Sequence, residues 1–278
     1  MIYQTIQHTE KYADSFIEAY IHTPHAELQI GKRRAIIVCP GGGYGWLSER
    51  EAEPVALQYF AAGLNAFVLR YSVKEKAVDY APLIEACLAI KYLRDHADEL
   101  NVDPNYVFIT GFSAGGHLAA WAGTMWHIPE VQAHIGDAAP EICKPTATLP
   151  CYPVISALPG VRHDGSIQYL NGCKAGDEEG MARFSLEKAV SEKTAPAFLW
   201  HTANDGCVPV MNSLLYAEAL TKYRIPYELH VYPKGPHGLS LANKETWVNN
   251  PNIDIPYIAE WIKMAINWVK NCPFEVQK

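Results

Sequence analysis

The sequence predicts an α/β fold in which a mostly parallel sheet carries helices on both faces. Short apolar runs of strand length, bounded by turn residues, alternate with stretches whose apolar residues recur at the spacing of a helix. Some runs, such as residues 34–40 (RAIIVCP), are apolar throughout, which is typical of central parallel strands that are covered on both faces. The alternation continues without a linker or an internal repeat, and we therefore expect one domain over residues 1–278.

Composition excludes several classes of protein. The chain has 278 residues, 49% of them hydrophobic, which is enough for a substantial core and excludes a disordered chain. The formal net charge of −7 argues against nucleic acid and anionic membranes as partners. No apolar run reaches the ~18 residues of a membrane span, and the start lacks a basic-then-apolar secretion signal. Seven scattered cysteines without a C-x-x-C pair predict reduced thiols, and these features together predict a cytoplasmic protein.

In the first half of the chain, the pattern predicts strands at 15–23, 34–40, 65–71 and 106–112, and helices at 51–62, 82–97 and 114–125. The strand at 15–23 alternates only loosely between apolar and polar residues and is predicted at a sheet edge. A Pro-Gly-Gly-Gly turn ends the second strand, and Gly63 ends the first helix. The helix at 82–97 is predicted because its apolar residues recur at a period near 3.6.

In the second half, strands are predicted at 147–155, 196–202 and 227–232, and helices at 210–223 and 255–270. Pro150 and Pro153 weaken the evidence for the first of these strands. Residues 157–193 differ from the rest because they contain five glycines, many charges and no core period. We interpret them as a small cap insertion over the carboxyl edge of the sheet; an ordinary long surface connection is the alternative.

A nucleophile candidate lies where the strand at 106–112 meets the helix at 114–125. Residues 111–115 read Gly-Phe-Ser-Ala-Gly, which matches the G-x-S-x-G pattern in the strand-turn-helix context that this pattern requires. A serine at the tip of such a tight turn has a strained backbone, and glycines two residues away let the turn close. We interpret Ser113 as a catalytic nucleophile; a serine that only caps the helix is the alternative.

The glycine run after the strand at 34–40 is a candidate oxyanion hole. Residues 40–45 read Pro-Gly-Gly-Gly-Tyr-Gly, which lacks the spacing of a dinucleotide loop and the Gly-Lys-Ser/Thr ending of a phosphate loop. Bare backbone N–H groups can approach a ligand oxygen closely and stabilise a tetrahedral oxyanion. We select the N–H groups of Gly42, Gly43 and Ala114 as donors; a flexible turn is the alternative for the glycines.

A serine nucleophile needs a histidine base and an acid that orients the base. Of the eleven histidines, His237 follows the last clear strand in a Gly/Pro-rich loop. Histidines inside predicted strands or helices, such as His201 and His117, are expected to pack. Asp205 follows the strand at 196–202, although its Asp-Gly step is also ordinary turn chemistry. The chain order Ser113, Asp205, His237 is that of the α/β-hydrolase fold.

Together, the motifs PGGGY, GFSAGGHLAA, HTANDGCVPV and GPHGLSL resemble the α/β-hydrolase carboxylesterase superfamily, in particular bacterial acetyl esterases and acetylxylan-esterase-like sugar hydrolases. The resemblance implies an eight-stranded, mostly parallel sheet and a cofactor-free serine esterase for short acyl esters. It also implies that Ser113, Asp205 and His237 form the catalytic triad. Pro40 stands where the hormone-sensitive-lipase-like branch has histidine, and Asn204 stands where many relatives have a second aspartate.

Three aromatic residues are candidates for lining a sugar or acyl pocket. Tyr44 and Trp46 flank the last glycine of the run, and Trp126 follows the helix after Ser113. Aromatic side chains are more often part of the core, and core packing is the alternative for each of them.

Two further groups of residues have ordinary structural interpretations. His22, His25 and Glu27 have loosely metal-like spacing, but one short cluster is typical of a surface loop, and no metal is expected. Trp261 and Trp268 are expected to pack the last helix on the sheet, with a homodimer contact as the alternative.

The predicted activity is hydrolysis of short-chain acyl esters, with acetylated sugars or xylo-oligosaccharides as the expected small-molecule substrates. A serine peptidase of the prolyl-oligopeptidase kind is the first alternative, although 278 residues leave no room for that group's extra domain. A non-catalytic binding protein that kept the fold is the second. No cofactor and no nucleic-acid or membrane partner is expected, and the oligomeric state is left open, a homodimer included.

Overall fold

An eight-stranded sheet forms the centre of the structure. The computed structural model describes residues 1–28, 30–174, 176–246 and 254–276. The strands are β1 (Ile2–Ile6), β2 (Phe16–Ile21), β3 (Arg33–Cys39), β4 (Asn65–Arg70), β5 (Val102–Phe112), β6 (Thr148–Cys151), β7 (Ala197–Thr202) and β8 (Tyr227–Tyr232). Their spatial order is β1-β2-β4-β3-β5-β6-β7-β8. The pairs β1–β2 and β2–β4 are antiparallel and the other pairs are parallel, which confirms the predicted mostly parallel sheet.

Helices connect the parallel strands. The α-helices in the described ranges are α1 (Glu53–Ala61), α2 (Ala81–Asp95), α3 (Ala114–Met125), α4 (Pro129–Gln132), α5 (Asp164–Leu170), α6 (Glu178–Ala182), α7 (Leu186–Ala189), α8 (Met211–Lys222), α9 (Pro256–Ala259) and α10 (Trp261–Asn271). The helices α1, α2, α3 and α8 each join two parallel strands, as such strands require. They agree to within two residues at each end with the helices predicted from the sequence.

The sheet edge at the start of the chain differs from the prediction. The strand predicted at 15–23 forms as β2 but is not at the edge, because β1 pairs with its outer side from Ile2↔Ile21 to Ile6↔Ile17. β1 is mostly exposed, and only Ile6 in it is buried. A strand that buries so little of its surface leaves no clear hydrophobic pattern in the sequence, which explains why it was not predicted.

Both faces of the central strands are covered. On β3, Ala35, Ile37 and Cys39 belong to one hydrophobic cluster, whereas Ile36 and Val38 belong to the other. The helices α2 and α3 contribute to the first cluster, and α1 and α10 contribute to the second. Burial on both faces explains the uninterrupted apolar sequence of β3. The carboxyl ends of the parallel strands are thus held by a packed core on either side.

The second half of the chain departs from the prediction in two places. The strand expected at 147–155 is only four residues long, because the paired strand β6 ends at Cys151. The helix expected at 255–270 is divided into α9 and α10. Residues 157–193 contain the short helices α5, α6 and α7, and Ala175 within them lies outside the described residues. Trp261 and Trp268 are buried against the sheet, where Trp261 stacks on Trp200 at 5.2 Å.

The cysteines agree with the expectation of reduced thiols. All seven lie within the described residues and none forms a disulfide, and four of them are buried. In the parts of the chain that the structure describes, no helix has the length and apolar character needed to cross a membrane.

Candidate active site

Ser113 lies at a sharp turn between β5 and α3. Its backbone has φ 55° and ψ −115°, a conformation that is unusual and strained for a residue with a side chain. The turn can close only because its flanking residues lack side chains. A Cβ atom on Gly111 would lie 2.0 Å from the carbonyl oxygen of Gly115, and one on Gly115 would lie 2.1 Å from that of Cys39. The local sequence therefore forces the serine to the tip of the turn.

The three residues predicted to act together are in direct contact. Nε2 of His237 lies 2.9 Å from Oγ of Ser113, and Nδ1 of His237 lies 2.7 Å from Oδ2 of Asp205. Asp205 is in the loop after β7 and His237 is in the loop after β8. Because parallel strands end at the same edge of the sheet, these loops meet beside the turn that holds Ser113.

The carboxylate of Asp205 has a full set of hydrogen-bond donors. Oδ1 accepts from the backbone N–H groups of Cys207 and Val208, each at 2.9 Å. Burial alone raises the pKa of this carboxyl, but hydrogen bonds from His201 and His237 outweigh that effect and hold the pKa well below its usual range. The Asp205 side chain therefore remains ionised although it is almost completely buried.

His201 is a second histidine that contacts the carboxylate of Asp205, although its position inside a strand predicts only packing. Its Nε2 lies 2.9 Å from the Val208 carbonyl oxygen and 3.5 Å from Oδ2 of Asp205, while its Nδ1 lies 2.8 Å from Oγ of Ser213. The side chain is fully buried, as expected for a packing histidine inside a strand. The spacing of four residues between His201 and Asp205, across the end of β7, is the only signal that connects them.

The glycine run lies directly beside Ser113. A Cβ atom on Gly41 would lie 3.2 Å from the Cβ atom of Ser113. Gly42 and Gly43 have φ values of 124° and 65°, which favour glycine, and no described residue accepts a hydrogen bond from their N–H groups. Ala114 begins α3, and an N–H group in the first turn of a helix has no acceptor within that helix. The predicted donors therefore belong to two segments next to the serine, the glycine run and the first turn of α3.

A buried carboxylate that the sequence did not reveal supports the glycine run. Oε2 of Glu51 accepts the N–H of Gly41 at 3.0 Å, and Oε1 accepts the hydroxyl of Tyr152 at 2.6 Å. The same Tyr152 oxygen accepts the N–H of Ser240, three residues after His237, at 2.8 Å. Two side chains, Glu51 and Tyr152, thus connect the glycine run to the loop that carries the histidine. Glu51 precedes a helix in an ordinary polar turn, and this sequence context does not distinguish it.

The predicted pocket aromatics have different positions. Tyr44 is fully buried, and its hydroxyl lies 2.8 Å from Nδ1 of His117. Trp126 is also buried and donates to the Lys193 carbonyl oxygen at the opposite end of α3 from Ser113, about 18 Å along a helix of that length. For both residues the pocket interpretation is replaced by core packing. Trp46 is 56% exposed beside Gly42, the one predicted aromatic that solvent reaches at the glycine run.

The cluster with metal-like spacing is engaged in ordinary contacts. The His22 ring stacks on Phe60 at 3.8 Å, and its Nε2 lies 2.9 Å from the Phe60 carbonyl oxygen. Nδ1 of His25 accepts the N–H of Glu27. These contacts fit the surface-loop interpretation.

This arrangement has the parts that acyl transfer requires. A hydroxyl lies within hydrogen-bond reach of an imidazole, and the imidazole is oriented by an ionised carboxylate. The N–H groups of Gly42, Gly43 and Ala114 have no acceptor among the described residues, and such groups can stabilise the negative charge that a carbonyl oxygen develops after attack.

Comparisons with known proteins agree with the fold. A family model described as BD-FAE matches residues 21–220. The chain is 36% identical over 230 residues to the endo-1,4-beta-xylanase B of Butyrivibrio fibrisolvens, covering 82% of this chain and 35% of the relative. It is 30% identical over 246 residues to the acetylxylan esterase of Xylanibacter ruminicola, covering 86% of this chain and 46% of the relative. The chain thus spans between a third and a half of the length of these relatives.

A solved structure matches over nearly the whole length of both chains. The acetyl ester-xyloside bifunctional hydrolase of Caldicellulosiruptor lactoaceticus superposes with a TM-score of 0.82 at 37% identity, covering 98% of this chain and 97% of that one. The architecture is the α/β-hydrolase fold, as the sequence motifs implied.

Proposed function

The chain belongs to the BD-FAE family, and on that premise we propose that it is a serine carboxylesterase acting on short-chain acyl esters. Acetyl esters of sugars or xylo-oligosaccharides are the proposed substrates. The observation that carries the proposal is the continuous set of contacts from Asp205 through His237 to Ser113. A capping serine has no need of an imidazole oriented by a buried carboxylate, whereas a nucleophile does.

The proposed reaction begins with transfer of the Ser113 proton to Nε2 of His237 as Oγ bonds to the ester carbonyl carbon. The π electrons of the carbonyl move to its oxygen, which becomes an oxyanion. When the oxyanion collapses, the bond to the alcohol oxygen breaks, and the alcohol leaves with the proton from His237. Water then gives a proton to His237 and attacks the acyl-serine, which releases the acid and restores the Ser113 hydroxyl.

Asp205 has an electrostatic role in this scheme. Its carboxylate accepts from Nδ1 of His237, which leaves the unprotonated Nε2 toward Ser113 and stabilises the imidazolium that forms during attack. The lowered pKa of Asp205 supports this role, because the carboxylate stays charged at neutral pH.

The backbone N–H groups of Gly42, Gly43 and Ala114 are the proposed oxyanion hole. Each donor aimed at the developing charge contributes on the order of 3 kcal/mol in enzymes of this type. The positive φ values of the two glycines support this proposal, since they turn the backbone in a way that few other residues tolerate.

The proposed substrate class rests on the relatives. One is named an acetylxylan esterase and another an acetyl ester-xyloside hydrolase. The net charge of −7 is compatible with uncharged sugar esters. We further propose that residues 1–278 act as one catalytic domain, in which residues 157–193 form a small cap.

The test is a series of p-nitrophenyl esters from acetyl to long acyl chains, run beside acetylated xylo-oligosaccharides and an aminoacyl-p-nitroanilide. We expect turnover to be fastest with acetyl and to fall as the chain lengthens, with release of acetate from the oligosaccharides. Preferential cleavage of the anilide would replace the proposal with a peptidase. The absence of turnover together with no labelling by a fluorophosphonate would indicate a binding protein.

A further inference from the structure

His163 is a half-buried residue that the sequence did not single out and the reaction does not use. It precedes α5 in residues 157–193, and it lies over the glycine run. A Cβ atom on Gly43 would be 3.5 Å from Cε1 of the His163 ring. The imidazole therefore borders the space into which a substrate bound at Gly42 and Gly43 would extend.

The hydrogen bonds of the ring determine which nitrogen carries its proton. Nδ1 of His163 accepts the backbone N–H of Ser166 at 3.3 Å, and a backbone amide can only donate. Oγ of Ser166 lies 2.8 Å from the same nitrogen. In the neutral imidazole the hydrogen is therefore on Nε2. Among the described residues, none accepts a hydrogen bond from that Nε2–H.

The backbone around His163 is fixed from several directions. The Val161 carbonyl oxygen accepts from Nδ2 of Asn212, a buried side chain on α8, at 2.9 Å. Arg162 makes a bidentate contact with Glu178 and a further contact with Asp164. These contacts hold the backbone on either side of His163 in place, as a preorganised binding group requires.

The chemistry of an acetyl ester limits what this donor can bind. The acetyl group offers a single acceptor of consequence, its carbonyl oxygen, and the proposed donors for that oxygen are the N–H groups of the glycine run and Ala114. Every other oxygen that could accept a strong hydrogen bond belongs to the alcohol. A further donor at the edge of the glycine run therefore suits the hydroxyl or ring oxygens of a sugar.

We propose that His163 is a specificity-determining residue whose Nε2–H donates a hydrogen bond to a hydroxyl or ring oxygen of the sugar alcohol. This inference rests on the proposed esterase function and adds the group that recognises the sugar.

Electrostatics agree with a neutral donor at this point. Burial and the nearby charge of His237 both lower the pKa of His163, against weaker opposing effects of Asp164 and Asp205. The ring is therefore uncharged at neutral pH, which suits an uncharged sugar better than an anionic ligand.

The test is His163→Asn, because asparagine keeps an oxygen that can accept the Ser166 N–H while it removes the Nε2–H. Gln168→Ala, at an exposed position on α5, the helix that His163 precedes, is the matched control. For each protein, kcat and KM are measured with p-nitrophenyl acetate and with a methyl xyloside that carries one acetyl ester. The decisive quantity is the ratio of kcat/KM for the sugar ester to kcat/KM for p-nitrophenyl acetate.

We expect His163→Asn to lower this ratio about tenfold, mainly by raising KM for the sugar ester, as loss of one hydrogen bond to substrate predicts. Gln168→Ala should keep the wild-type ratio. An unchanged ratio in His163→Asn at an unchanged melting temperature would overturn the inference and leave the esterase proposal standing. An equal fall of kcat with both substrates would also overturn it, because it would indicate that His163 acts as a fourth oxyanion donor. A wild-type protein that cleaves neither substrate would overturn both proposals.

Discussion

Two carboxylates, Asp205 at the candidate site and Glu85 on α2 beneath the N-terminal strands, are similarly buried but differ in their pKa. Asp205 accepts two backbone N–H groups and contacts His201 and His237, and its pKa is well below the usual range. Glu85 accepts the backbone N–H of Ser72 at 2.7 Å and the hydroxyl of the same residue, and burial raises its pKa from 4.5 to about 7.

The difference shows that the donors, and not the depth of burial, set the charge of a buried acid. Glu85 has fewer donors, and no cation is among the hydrogen-bond partners that the structure describes for it. With a pKa of about 7, it is therefore about half protonated at neutral pH. Asp205 has two backbone amides and two imidazoles, which compensate for the loss of water. A carboxylate that stabilises an imidazolium must itself stay charged, and the hydrogen-bond donors in the loop after β7 keep Asp205 charged.

The difference in charge between Asp205 and Glu85 is tested by measuring the activity of Asp205→Asn and Glu85→Gln side by side, where we expect the largest effect. Both changes are nearly isosteric, but only the first removes a charge that the proposed reaction uses. We expect Asp205→Asn to lower kcat on p-nitrophenyl acetate by a factor on the order of 10⁴, because the amide favours the wrong tautomer of His237. Glu85→Gln should keep kcat within about twofold at 25 °C and pH 7. Comparable losses in the two variants would show that general destabilisation, and not the charge of Asp205, accounts for the effect.

The second test uses stability and follows from the sign of the Glu85 shift. A carboxyl whose folded pKa lies above its unfolded value stabilises the fold fully below about pH 4.5, and the contribution is lost as the pH rises through about 7. A shift of this size is equivalent to about 3 kcal/mol. Glu85→Gln should therefore gain stability relative to the wild type by up to about 3 kcal/mol between pH 4.5 and pH 8, measured by urea unfolding.

The relative measurement is needed because other buried groups titrate in the same range. Burial lowers the pKa of His8 and of His117 to about 4, and both titrate in the wild type and in the variant. Their contributions cancel in the difference. A difference in free energy of unfolding that does not change with pH would contradict the environment assigned to Glu85.

The smallest expected effect concerns Glu51, a third buried carboxylate. It resembles Asp205 in accepting a backbone N–H, but its hydrogen-bond donors are Gly41 in the glycine run and the hydroxyl of Tyr152. Tyr152 in turn contacts the loop that carries His237. Glu51→Gln replaces one acceptor with a donor, so that either the Gly41 N–H or the Tyr152 O–H loses its acceptor. We expect kcat to fall on the order of tenfold with little change in KM, since the oxyanion donors shift but remain present.

Tyr152→Phe is the matched comparison for this effect, because it leaves the Gly41 contact intact and removes the contact with the Ser240 N–H. Its kcat should lie between those of the wild type and Glu51→Gln. If Glu51→Gln has wild-type kcat at an unchanged melting temperature, the link between this carboxylate and the glycine run has no role in turnover.

Much of the fold could be predicted because its central strands and helices bury their side chains in regular patterns. β3 is apolar throughout since both of its faces are covered, and α2 shows the helical period since one side packs on the sheet. β1 could not be predicted, because it is exposed along most of its length and is held mainly by backbone pairing with β2. Such pairing leaves almost no trace in side-chain pattern.

The candidate site likewise contains residues that the sequence predicts and residues that it does not. Ser113, Asp205 and His237 follow strand ends in sequences with distinctive glycines and prolines, and so they could be predicted to meet. Glu51 contacts the glycine run from the turn that follows it, and His163 reaches it from residues 157–193; no local sequence pattern marks either residue. Tyr44 was expected at a pocket because it follows the glycines, yet its positive φ of 58° turns it into the core against His117.

Ser113 is the proposed nucleophile, activated by His237 and Asp205. The most direct measurement is reaction of the folded protein with a fluorophosphonate, followed by peptide mass mapping and an activity assay on the same sample. We expect one phosphonyl group per chain, on the peptide that contains Ser113, with esterase activity lost in proportion to labelling and no adduct on Ser113→Ala. Inactivation with Ser113 unmodified, or full esterase activity in Ser113→Ala, would contradict the proposed role of Ser113.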